Sequence, residues 1–89
     1  MTEPNPYDIL LHPYVTEKTM NRIDRENTIE FVVRRTANKT QIRWAIEKLY
    51  GAKVMSVNTR ISMRGEKHAA VRFDKGVKAE EIGQRIGIF

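Results

Sequence analysis

Cysteine is absent from the 89 residues. That excludes a disulfide scaffold, any thiolate metal site and any cysteine nucleophile. Prolines are few and early: Pro4 and Pro6 mark residues 1–6 as a loose arm, and Pro13 points to an edge strand. No apolar run approaches the roughly 20 residues needed to span a bilayer. The opening Met-Thr-Glu-Pro-Asn-Pro has neither a basic region nor an apolar signal core, so a soluble cytoplasmic chain without membrane insertion is expected. Only two histidines, His12 and His68, are present, far apart. There is no Gly-x-Ser-x-Gly, no His-Glu-x-x-His and no phosphate-cradling glycine loop. An enzyme is not expected, and the pattern offers no small-molecule substrate, cofactor or metal site. One small domain over residues 1–89 is what this length allows.

What the chain does have is segregated positive charge. The net charge is +5, but residues 34–72 hold ten basic side chains (Arg34, Arg35, Lys39, Arg43, Lys48, Lys53, Arg60, Arg64, Lys67, Arg72) against Glu47 and Glu66, a local +8. The rest of the chain is −3, with six basic and nine acidic residues. A one-sided positive field on a small domain is the usual footprint of a polyanion partner.

The stretch from Ala37 to Gly51 reads as a central helix with both ends marked. Asn38 is a favoured N-cap, Gln41 completes a capping box, and Gly51 suits a left-handed C-cap. Ile42, Ala45, Ile46 and Leu49 form one stripe toward a core. Lys39 and Arg43 sit one turn apart beside it. Trp44 falls about 200° around from Ile42, which turns it outward toward a partner, the alternative being burial under the N-terminal arm from Pro4 to Tyr7.

Around this helix the pattern predicts a short edge strand near residues 9–11 and a helix capped by Thr16 and running to about Ile23. In that helix Val15 and Met20 occupy the staple positions and Glu17 lies in the first turn. A turn at residues 24–27 follows. Residues 28–34 alternate, with Ile29, Phe31 and Val33 inward and Thr28, Glu30 and Arg34 outward. Residues 53–64 form a longer strand with Met55, Val57, Thr59, Ile61 and Met63 on one side. Gly65-Glu66 turns it into a return strand over residues 67–73, with Ala69, Val71 and Phe73 inward and His68, Ala70 and Arg72 outward. A last helix carries Ala79, Ile82 and Ile86, ends at Gly87, and allows Ile88 and Phe89 to fold back. The expected fold is a single α+β domain, an antiparallel sheet with helices packed on it, in the order β-α-β-α-β-β-α.

An acylphosphatase-like site would need a glycine-rich phosphate loop after the first strand, where Thr16-Glu17-Lys18-Thr19 stands instead. An RRM-type single-strand binder would need stacking aromatics, and Glu66 and Ala70 occupy those places in the stretch from Arg64 to Phe73. What remains is a binder of nucleic-acid backbone. Lys39, Arg43, Arg60, Arg64, Lys67 and Arg72 can meet phosphates, with Asn38, Asn58 and Thr59 adding hydrogen bonds. Each has a plainer alternative: Asn38 as a helix cap, Arg43 paired with Glu47, Thr59 as ordinary strand.

Four motifs occur in order: His12-Pro13-Tyr14-Val15-Thr16-Glu17-Lys18, Ala37-Asn38-Lys39, Val57-Asn58-Thr59, and Lys67-His68-Ala69-Ala70-Val71-Arg72. Together they resemble the universal large-subunit ribosomal protein family L-twenty-three. The ending Arg85-Ile86-Gly87-Ile88-Phe89 resembles its archaeal branch. The resemblance implies a structural protein of the large ribosomal subunit that binds large-subunit rRNA beside the exit of the nascent-chain tunnel. It implies a neighbour of the small helical L-twenty-nine type, and a docking surface for targeting and chaperone factors around Val15, Thr16, Glu17 and Lys18. Two departures stand out. His68 replaces the second basic residue of the family's strand motif, and the hairpin turn lacks the long basic loop of bacterial members. A freestanding basic RNA- or protein-binding module is the alternative.

Overall fold

A computed structural model describes residues 5–88, so Phe89 and most of the proposed N-terminal arm lie outside the described residues. The order expected from the sequence holds from the first strand onward, with one additional helical turn in front of it. The elements are α1 (Pro6–Ile9), β1 (Leu10–Pro13), α2 (Glu17–Glu26), β2 (Thr28–Val33), α3 (Lys39–Tyr50), β3 (Val54–Ile61), β4 (Lys67–Phe73) and α4 (Ala79–Ile86). The four strands make one antiparallel sheet in the order β1-β2-β4-β3. The short strand expected at residues 9–11 begins one residue later. Asn5 caps the turn before it, accepting from Tyr7 N–H at 3.0 Å, with Pro6 at the helical start where proline is tolerated.

The core lies on one sheet face. Ile29, Phe31 and Val33 of β2 and Ala69, Val71 and Phe73 of β4 join Val54 and Val57 of β3 in one apolar cluster. Ile42, Ala45 and Ile46 of α3, all fully buried, complete it together with Ile23 of α2 and Ile82 of α4. Both capping predictions for α3 hold: Asn38 Oδ1 accepts from Gln41 N–H at 2.8 Å, Gln41 Oε1 accepts from Asn38 N–H at 3.0 Å, and Gly51 adopts φ +63°. Thr16 caps α2 in a capping box whose second member is Thr19.

Several expectations need correction. Helix α2 does not stop near Ile23; it runs to Glu26 and ends at Asn27, held left-handed at φ +53°. Strand β2 is buried along its whole length, not half-buried, because β1 and β4 flank it and its polar-face residue Glu30 lies beneath side chains from three other elements. In β3 a bulge between Val54 and Ser56 resets the alternation, so Val54 and Val57 both face the core and Met55 is exposed. Toward the hairpin tip burial falls away: Thr59 is half-buried, while Ile61 and Met63 are exposed. The turn spans residues 62–66 and not Gly65-Glu66 alone, with Ser62 N–H donating to Glu66 O at 2.8 Å. Trp44 is half-buried against the core cluster instead of projecting free, and α1 (Pro6–Ile9), which overlaps the N-terminal segment named as its alternative cover, packs on α3.

Asn27 is the joint that holds α4. Its Nδ2 donates to Phe73 O, Asp74 O and Val77 O at 3.2, 3.2 and 2.7 Å. Its Oδ1 accepts from Ala79 N–H at 2.7 Å. Lys78, at the N-cap position of α4, makes no side-chain cap of its own, so a residue from another element does that work.

Candidate nucleic-acid interface

Strand register fixes which side chains share the sheet face opposite the core. Across the ladder, Thr28, Arg72 and Ser56 stand in one row; Glu30, Ala70 and Asn58 in the next; Val32, His68 and Arg60 in the third. The middle of this face is an internal charge network. The Glu30 carboxylate, with its side chain 3% exposed, accepts from Arg60 Nη2 at 2.8 Å, and Arg22 Nη1 approaches it at 3.6 Å. His68 lies between two acids, Nδ1 3.5 Å from Glu30 and Nε2 3.6 Å from Glu66. The Tyr14 ring meets it edge-on with centroids 4.4 Å apart.

Two sequence expectations change here. His68 faces the polar side as predicted but is buried, because Tyr14 and the Arg60–Glu30 pair cover it; it offers no surface to a ligand. Arg60 is half-exposed but not free, since the fold brings Glu30 to it across β4. Sequence reasoning missed Arg22 and Glu30 as members of this network. The available signal was Glu30 itself, the one charged residue inside β2.

Two groups of exposed cations adjoin the sheet, one along the β3 edge and one at the hairpin end. Lys39, Thr40 and Arg43 of α3 face Met55, Ser56 and Val57 of β3 across a cleft of about 350 Å³. Arg43 Nη2 donates to Met55 O at 3.3 Å, on a strand that has a ladder partner only on its other side, and no Arg43–Glu47 ion pair forms. The first turn of α3 carries no acid, so Lys39 and the helix N-terminus add positive potential in the same place. Arg72, exposed, stands beside Ser56 in the ladder and adds a cation one strand away. Asn58 is exposed and Thr59 half-buried on β3. Asn38 is occupied as a cap. Lys67 is half-buried, with Nζ donating to Ala37 O at 2.6 Å. Arg64 is exposed on the hairpin turn. On the α2 side, Val15, Glu17 and Lys18 are exposed, while Thr16 is half-buried in its capping box.

Comparison with known proteins decides the family. A profile described as Ribosomal protein L23 matches residues 8–85. The chain belongs to that family. It is a family of ribosomal proteins, not of enzymes. Among its relatives, the large ribosomal subunit protein uL23 of Methanobrevibacter smithii is 51% identical over 83 residues, 93% of this chain and 96% of the relative. The uL23 of Methanosphaera stadtmanae is 47% identical over 85 residues, covering 96% and 99%. That of Methanothermobacter thermautotrophicus is 42% identical over 85 residues, covering 96% and 99%. All three relatives are archaeal, as the C-terminal motif implied.

Proposed function

We propose that this chain is a structural component of the large ribosomal subunit in the cytoplasm and holds large-subunit rRNA by its sugar–phosphate backbone. The observation that carries the RNA contact is the cleft between α3 and β3. Lys39 and Arg43 there are exposed and have no carboxylate within ion-pair distance among the described residues. Asn58 and Thr59 extend the same edge strand, and Arg72 adds a cation on the neighbouring strand β4, on the sheet face opposite the core. Such contacts fix position and read shape more than sequence. Arg60 and His68 are taken up by the charge network on the sheet face opposite the core, where Glu30 holds Arg60 and Tyr14, Glu30 and Glu66 surround His68.

Within the subunit, the proposed position is beside the tunnel exit, next to a protein of the L-twenty-nine type. The exposed Val15, Glu17 and Lys18 would there meet targeting and chaperone factors. Family membership and the exposure of these three side chains support that part.

The test is binding of the full chain to deproteinised archaeal large-subunit rRNA across a salt series. The double variant Lys39→Gln/Arg43→Gln should bind more weakly and flatten the log–log salt slope by roughly two units, one per lost phosphate contact. An unaltered slope in a folded variant would remove the cleft from the interface. Recovery of the protein mainly in the free pool after high-salt sedimentation of subunits would favour the freestanding module.

A further inference from the structure

The end of the sheet that bears the β3–β4 turn also bears the turn from β2 into α3, because Val33 and Ile61 both stand opposite Lys67. Two pinned turns therefore lie side by side. In residues 34–37, Ala37 N–H donates to Arg34 O at 2.9 Å, Arg34 N–H to Ile9 O at 2.9 Å, and Lys67 Nζ to Ala37 O at 2.6 Å. In residues 62–66, Gly65 N–H donates to Ser62 O at 2.9 Å, with Gly65 at φ +84°. The two turns adjoin: a Cβ placed on Gly65 would lie 3.9 Å from Arg35 Nη1.

Arg34, Arg35 and Arg64 are exposed on these turns, and none of them has an ion pair among the described residues. Glu66, the one carboxylate in either turn, is directed to His68. Like charges gathered this way repel in the isolated protein. The hydrogen bonds hold the two backbones in place at that cost. A guanidinium is planar and weakly hydrated, and its paired donors match two oxygens of one phosphate. Neither turn carries an aromatic side chain on which a base could stack.

We propose that this double-turn end is a second grip on rRNA, separate from the Lys39–Arg43 cleft, in which Arg34, Arg35 and Arg64 clamp neighbouring backbone phosphates. It rests on the RNA-binding reading above and goes beyond it by adding Arg34 and Arg35 and by grouping Arg64 with them.

The test uses the full chain and deproteinised archaeal large-subunit rRNA. Arg34→Gln/Arg35→Gln should flatten the salt slope by roughly two units and Arg64→Gln by roughly one, with thermal melting unchanged. If the double variant keeps the wild-type slope while Lys39→Gln/Arg43→Gln loses it, the second grip is refuted and the RNA reading stands. If neither variant changes the slope, both fail. If rRNA binding is intact but retention on protein-containing subunits drops, the arginines face a ribosomal protein, and the proposal is overturned.

Discussion

Glu30 carries a carboxylate almost withdrawn from water, and the cation that answers it comes from thirty positions further along the chain. Alternation in residues 28–34 tells which way Glu30 points, but not that Tyr14, Arg22, Arg60 and His68 will gather over and around it. That is why Arg60 looked free in the sequence. Arg60→Ala should therefore act first on stability, by about 1–3 kcal/mol, the cost of depriving a buried acceptor of its donor. A lower midpoint in urea, partly restored by adding Glu30→Gln, would show it; an unmoved midpoint would mean that Arg22 alone suffices. Asn27 is a second case in which one side chain serves distant elements. Asn27→Ala loses three donated bonds and one accepted bond and strains a left-handed backbone. Together these should cost about 2–4 kcal/mol. Asn27→Gly, which relieves only the backbone, should fall between Asn27→Ala and wild type in a thermal melt.

Helix ends capped by their own neighbours were legible, because such a cap is a local transaction; the end of α2 at Asn27 and the start of α4, capped from Asn27, were not. Asn38 with Gln41, Thr16, Gly51 and Gly87 all act where the sequence put them. The Gly87 ending also turns Ile88 back, its N–H donating to Gly83 O at 2.9 Å. The strands were readable in existence and partly in phase. The bulge at Val54–Ser56 was not, since nothing in Lys53-Val54-Met55 marks an extra residue. The Lys39–Arg43 part of the candidate site was readable from helical spacing; the Arg34–Arg35 part was not, because it depends on two turns meeting. Helices α3 and α4 are clasped at their C-terminal ends. Arg85 Nη1 donates to Tyr50 O at 2.9 Å, and its guanidinium lies 5.8 Å from the Tyr50 ring centre. Burial pushes the Tyr50 pKa above its ordinary 10.0, Tyr7 adds to that, and Arg85 opposes it. The neutral phenol is thus favoured by the fold. Its contribution is complete below pH 10.0 and is lost as pH rises through the higher folded value. Urea midpoints should fall above pH 10, and Tyr50→Phe should make that fall shallower. An identical alkaline profile in the variant would show that other groups cause it.

At the scale of the whole molecule, the sheet's spatial order differs from its order along the chain. The fourth strand in sequence, β4, sits inside the sheet between β2 and β3. Before residues 67–73 exist, β1 and β2 can pair only with each other, and β3 has α3 beside it but no strand partner. The last helix is held by Asn27, 52 residues earlier than the backbone N–H it caps. Closing such long separations slows folding, since ordering entropy is lost before the contacts form. During synthesis β2 and β3 must wait for β4, since each pairs with it along most of its length. A chain built this way cannot complete its sheet until β4 has been made.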